Sequence, residues 1–347
     1  MLGDPVTPPT PLPTTLPTVP HVPPVEEELR EAAETLRGLV SDAVGPHPAE
    51  TILLSGGLDT SILAEVARSR GLTAGVTVLV GDHPPDEEHA IAVAERCGLT
   101  HHVVRTDFPG LLREAPLVVR TMQTFDPMEV RNSLVVSRGL REAAERGLTQ
   151  VLTGDAADEL FGGYSFLWGK DEEEFRRASE RMAHGMSFSS FPLGRSLGVR
   201  VQAPFMDPAI VRFSLTLPRS SKVRTVDGTT HGKYLLRLAF PEVPNRWRRK
   251  DPIEVGSGSA ALRSFFEREI PPHEFERERA RVLQEDGVRL RGPEHLAYYR
   301  VFRQEFGDGA PIARNGDDPC PACGYQLVSR ETDFCRVCGE WPVRPRS

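Results

Sequence analysis

The chain has 347 residues, 39% of them hydrophobic, which is enough to bury a sizeable core in one large domain or two moderate ones. Its net charge of −7 argues against a protein that coats nucleic acid through its overall field and favours small-molecule substrates. No apolar run approaches the roughly 18 residues of a membrane span and no basic-then-apolar leader is present, so no membrane is expected and the expected localisation is cytoplasmic.

Residues 1–24 are rich in Pro and Thr, which can build neither a ladder nor a core, and read as a disordered or polyproline-like leader outside the fold. Leu29, Ala33, Leu36, Val40 and Ala43 then recur at helical spacing, with acidic residues at the front where the helix dipole favours them. From Glu50 the pattern becomes an apolar run, ETILL, a turn, SGGLD, a helical stretch, TSILAEVARSR, and a second apolar run, AGVTVLV. Strand, turn, helix, strand is a βαβ unit and predicts a parallel sheet. The segment DEEHAIAVAERCG places Ala90, Val93, Ala94 and Cys97 on one helical face, HHVVR gives a third strand, and a helical region around Leu134, Val135 and Leu140 leads to the strand QVLTG. The fold class predicted for the part up to Gly154 is therefore α/β, a doubly wound parallel sheet. Beyond Gly163 the strand signals fade, and SFLWGKDEEEFRRASERMAHG, KYLLRLAF and AALRSFFEREI predict a helical C-terminal half. The expected domains are the leader 1–24, the α/β domain 25–312, and a cysteine-rich tail 313–347.

Between the first strand and its helix, Ser55, Gly56, Gly57, Asp59, Thr60 and Ser61 form a natural anion cradle, with backbone N–H groups, a helix N-terminus and three hydroxyls. The loop lacks the Gly-Lys-Ser/Thr ending of a Walker A motif, so γ-phosphate transfer is not the reading it favours. After the QVLTG strand, Asp155, Asp158 and Glu159 supply carboxylates that can hold Mg²⁺ through phosphate oxygens or accept a proton from an attacking amine. The only lysines are Lys170, Lys222, Lys233 and Lys250, in a chain whose other basic side chains are Arg. A Lys kept in such a background suggests a place for a compact, mobile point charge.

In the tail, Cys320-Pro-Ala-Cys323-Gly and Cys335-Arg-Val-Cys338-Gly are two metal knuckles with the spacing of a four-thiolate structural Zn²⁺ site. So short a segment depends on its metal for stability. Two disulfides or a redox pair are the alternatives, and Cys97 reads as a packing residue.

The string SGGLDTS resembles the pyrophosphate loop of ATP-pyrophosphatases, and LTGDAADELFGGY resembles the acidic signature in the synthetase domain of asparagine synthetases and β-lactam synthetases. That resemblance implies Mg²⁺ at Asp59 and Asp158, ATP pyrophosphate around Ser55, Gly57, Asp59 and Ser61, and adenosine near Leu53, Val78 and Gly154. It also implies Asp155 as the catalytic carboxylate, where the family has Glu, with Ala156 where a Gly is usual. KYLLR places Lys233 in the nucleotide site, and RKDPI makes Lys250 the contact to leaving pyrophosphate. FDPMEVR is similar to the acceptor segment, keeping Arg131 to hold a carboxylate but replacing two threonines by Met128 and Glu129. The resemblance runs from about Glu26 to Pro311 and implies an AMP-forming ligase that joins a carboxylate, aspartate first, to ammonia or another amine. Family members that use glutamine begin with a glutaminase domain, for which this sequence shows no counterpart. A separate glutaminase subunit, or a protein docking on the zinc ribbon, is then an expected partner. Zinc ribbons also occur in ATP-pyrophosphatases that thiolate tRNA, so an RNA-modifying enzyme is one alternative, and a nucleotide-binding scaffold without turnover is another.

Overall fold

A computed structural model describes residues 26–307, 313–329 and 332–344; the leader and part of the 307–319 linker lie outside the described residues. The run AGVTVLV becomes a fully buried strand, Ala74–Val80 (β2), as a strand covered on both faces by helices must be. Thr51–Leu53 (β1), Thr100–Thr106 (β3), Gln150–Leu152 (β4) and Arg200–Gln202 (β5) join it in one parallel sheet of order β3-β2-β1-β4-β5.

Helices cover both faces. On one side Glu27–Val44 (α1) buries Leu29, Ala33, Leu36 and Val40 with Leu58–Ala67 (α2) and Asp86–Cys97 (α3) against Ile52, Leu54 and Leu152. On the other, the helices Ala115–Met122, Pro127–Glu145 and Pro293–Phe306 pack over Val76, Val78, Val104 and Val151. The helix Pro127–Glu145 starts cleanly because Pro127 fills its first position and Asp126 Oδ1 accepts from Met128 N at 3.3 Å.

The C-terminal half is mainly helical, yet two β features appear beyond Gly163. The edge strand β5 has only three residues, none fully buried, and so carries no apolar run. Arg224–Val226 (β6) and Thr229–His231 (β7) form a hairpin around Asp227 and Gly228, whose φ values of 48° and 76° suit a two-residue turn. The Asp-Gly pair between β-branched residues was the signal for it.

The tail packs into the second of these cores. Cys320, Cys323, Tyr325, Val337 and Cys338 share one cluster with Phe125, Tyr299 and Phe302. Backbone bonds tie it down, from Phe125 N to Val337 O and from Arg289 N to Ala322 O, both 2.8 Å.

Candidate active site and thiolate cluster

The strand order reverses between β1 and β4, and in an open parallel sheet the crevice beyond the carboxyl ends of the strands at such a reversal is where ligands bind. The register pairs Ile52 with Leu152, so the chain leaving β1 and the chain leaving β4 emerge side by side. The first delivers Ser55–Ser61 and the second Gly154, Asp155 and Asp158. A Cβ on Gly154 would lie 3.0 Å from the Asp59 Cβ, which explains why the smallest residue stands where the two segments meet.

The loop is braced from behind. Gly56 has φ +66°, and a Cβ there would sit 2.4 Å from Ala90 N of α3, so only glycine permits this approach. Ser61 Oγ donates to Gly57 O at 2.7 Å, and the Asn245 amide donates to Gly56 O and, at 2.9 Å, to Ser61 Oγ. Arg248 donates to Ser55 O at 3.3 Å and pairs with Asp86 at 2.7 Å. Meanwhile α2 begins at Gly57 with no side-chain cap, leaving its first N–H groups turned to the crevice. Asn245 and Arg248 were not singled out from sequence; they lie far along the chain, in a loop without periodicity.

In front of the loop sits a buried charge cluster. Lys233 Nζ lies 2.5 Å from Asp59 Oδ2 and 2.8 Å from Asp158 Oδ1, and Lys250 Nζ lies 3.3 Å from Asp158 Oδ2. Burial works against the Asp158 charge, but the two ammoniums outweigh it and hold its carboxyl below the ordinary range. For Asp59 burial dominates over Lys233, and its carboxyl is pushed up. Asp59 Oδ1 is buried without a hydrogen-bond partner. An orphaned carboxylate oxygen beside a second carboxylate and an anion loop fits a hard cation such as Mg²⁺. A Cβ on Gly163 would clash with Asp158 Oδ1, so the Gly-Gly pair that follows Phe161 gives the carboxylate its room.

Asp155 stands beside this cluster. Its Oδ2 accepts from Thr153 Oγ1 at 2.7 Å and Ser190 Oγ at 2.5 Å, while burial, the stronger influence, lifts its carboxyl pKa. A carboxylate of raised pKa is the better proton acceptor. Leu53 and Val78 both point at Gly139, whose missing side chain leaves them 3.0 and 3.4 Å from an imagined Cβ.

Arg131 is in a different state from the one expected. Its Nε and Nη2 donate to the two carboxylate oxygens of Glu294 at 3.0 and 2.6 Å, and the two side chains are only 15% and 7% exposed. An acceptor carboxylate at Arg131 has to displace Glu294 to reach it. Lys222, one of the four lysines, is 1% exposed and lies 5.8 Å from the centre of the Phe175 ring.

In the tail the four cysteines are reduced and buried, their sulfurs within 4.8 Å of one another, with Cys320–Cys338 and Cys323–Cys335 separations of 3.7 Å. Four thiolates at about 2.3 Å from a tetrahedral Zn²⁺ stand about 3.8 Å apart, so the cluster has the dimensions of such a site. Gly324 and Gly339 turn each knuckle with φ +73° and +74°.

A parallel α/β sheet with an uncapped glycine loop and acidic groups at its reversal point defines a doubly wound nucleotide-site architecture of the ATP-pyrophosphatase type. Residues 33–197 and 192–306 match the asparagine synthase family model, and the chain belongs to that family. Among similar proteins, the probable glutamine-hydrolyzing asparagine synthetase of Dictyostelium discoideum is 28% identical over 257 residues, 65% of this chain and 46% of its own length. The glutamine-hydrolyzing asparagine synthetase of Asparagus officinalis is 27% identical over 266 residues, 70% of this chain and 44% of its own. The chain thus spans less than half the length of these relatives. The solved NMN synthetase of Francisella tularensis overlaps 84% of this chain and all of its own at 15% identity, with a TM-score of 0.28, too low to bear on function.

Proposed function

We propose that this chain is an ATP-dependent, AMP-forming carbon–nitrogen ligase. A carboxylate oxygen of the acceptor attacks the α-phosphorus, forming an acyl-adenylate as the bond to pyrophosphate breaks. The nitrogen of ammonia or another amine then attacks the acyl carbon, AMP leaves with the carboxylate oxygen, and a proton passes from nitrogen to Asp155. The loop Ser55–Ser61 and the start of α2 hold the pyrophosphate. Lys250 and Lys233, freed from their carboxylates, follow the charge that builds on it as it leaves. Asp59 and Asp158 would hold Mg²⁺, which when bound would supply positive charge to offset that of the phosphates. Leu53, Val78 and Gly154 border the adenosine, and Zn²⁺ occupies the four-thiolate cluster.

The observation that carries this reading is the orphaned Asp59 Oδ1 within the Asp59–Lys233–Asp158 cluster, directly against the loop. Aspartate is the acceptor the family resemblance implies, although its natural anchor, Arg131, is matched by Glu294. The test is pyrophosphate release from Mg-ATP with ammonia and a panel of carboxylates. One of them should stimulate release, and Asp59→Ala and Lys250→Ala should each lower it by roughly a hundredfold or more. Release that no carboxylate stimulates, or that bulk tRNA stimulates instead, would contradict the reading.

A further inference from the structure

A cleft of about 460 Å³ lies between the end of the helix Ala115–Met122, the segment Met186–Arg195 and the second zinc knuckle. Its size falls within the roughly 300–1,000 Å³ typical of clefts that take a drug-sized molecule. Half of the chain's six methionines line it, with Phe188, Phe191 and Pro192, beside the polar Thr121, Gln123 and Ser187, so soft apolar and aromatic groups share its walls with polar ones. Two charged groups complete it, Arg195 from the helix Ser190–Ser196 and Arg336 from between Cys335 and Cys338. Neither guanidinium forms an ion pair or a hydrogen bond with any described residue, in a protein where most arginines do, although the Arg336 charge acts at longer range on Glu129. No acidic side chain lines the cleft. The cleft adjoins the reacting groups, since Phe191 follows Ser190, whose hydroxyl donates to Asp155 at 2.5 Å.

We propose that this cleft is the acceptor site, and that its ligand is a dicarboxylate with an apolar or aromatic body and no ammonium group. One carboxylate is held by Arg195 and Arg336 and the other is presented for adenylation. The proposal rests on the ligase reading for the second carboxylate's fate, but not for binding. Two unpaired guanidiniums favour an anionic end. The methionine and phenylalanine side chains favour an apolar body, and with no acidic side chain in the lining an amino-acid ammonium gains no partner there. Aspartate is therefore a poor fit, in agreement with the pairing of Arg131 to Glu294. Arg336 is positioned by the thiolates on either side of it and by Val337 O, which accepts from Phe125 N at 2.8 Å and Thr124 Oγ1 at 3.1 Å. The metal tail thus contributes a substrate-binding residue.

Calorimetric titration of the zinc-loaded protein with phenylsuccinate and with aspartate, in the absence of ATP, tests the site. Phenylsuccinate should bind at least roughly tenfold more tightly than aspartate, and Arg195→Gln and Arg336→Gln should each weaken it roughly tenfold or more. The two variants lie on separate elements, so a folding defect in one leaves the other as the test. Equal affinity for the two acids, or unchanged phenylsuccinate affinity in a folded variant of each arginine, overturns the proposal. Pyrophosphate release with Mg-ATP separates it from the ligase reading. Release driven by aspartate to the same extent in wild type and both variants overturns the cleft and leaves the ligase standing. Arginine-dependent phenylsuccinate binding without release by any carboxylate supports the cleft and contradicts the ligase.

Discussion

The two ends of the crevice treat their charges differently. At the proposed nucleotide end, carboxylates and lysines are packed together, with Asp59 Oδ1 buried and without a hydrogen-bond or ion-pair partner, an opening that fits the proposed cation. At the expected acceptor end, Arg131 and Glu294 satisfy one another through a two-pronged pair, and Tyr298 adds a 3.3 Å hydrogen bond to Glu294. Unmatched buried groups await a ligand, whereas matched ones hold the fold. That contrast supports the proposed roles, with the Asp59–Asp158 cluster open to a ligand and Arg131 held by the fold, and it leaves the acceptor to the neighbouring cleft proposed above.

The sharpest way to break the contrast is through the thiolate cluster, which braces the segment Thr124–Asp126 at the acceptor end. Because Cys320, Cys323 and Val337 share a core with Phe125 and Phe302, removal of the metal by a chelator, or Cys323→Ser, should lower the main thermal transition by at least about 10 °C. A main transition that stays in place while only the tail loosens would mean the ribbon is an appended module. Glu294→Gln should come next in size, destabilising the protein by about 3–5 kcal/mol in urea unfolding, because it leaves the Arg131 charge buried and unmatched. The acceptor KM should change less than about twofold. A large KM change with unaltered stability would return Arg131 to the acceptor site.

Lys222 gives the smallest effect and a pH signature. Burial lowers its pKa from an ordinary 10.5 to about 8, so between those values the unfolded chain binds the proton and the folded one does not. Stability from this group therefore rises as pH climbs through 8 to 10.5, and its penalty is complete below pH 8. At about 1.4 kcal/mol per unit, Lys222→Met should stabilise the protein by up to about 3 kcal/mol at pH 7, with the gain fading by pH 10.5. A gain independent of pH would assign the effect to packing instead.

The nucleotide end was legible because its residues come in short contiguous strings, SGGLDTS and LTGDAADELFGGY, placed at strand ends that hydrophobic runs reveal. The structure brings both strings together at the sheet's reversal point, with Lys233 and Lys250 beside them. What sequence left out are partners from distant segments. Glu294 lies 163 residues from Arg131, and Asn245 lies 189 from Gly56, separations over which no periodicity or spacing rule operates. The strand β5 was invisible because it is short and half exposed, and the tail's place in the main core because packing between segments leaves no local pattern.

The most direct test of the central claim is the path of oxygen. With acceptor carboxylates labelled with ¹⁸O, Mg-ATP and ammonia, AMP should acquire one ¹⁸O per turnover, since the carboxylate oxygen bonded to phosphorus leaves with the phosphate when nitrogen attacks the acyl carbon. AMP and pyrophosphate formed in step with amide product, but with no label in the AMP, would contradict carboxylate adenylation in this crevice.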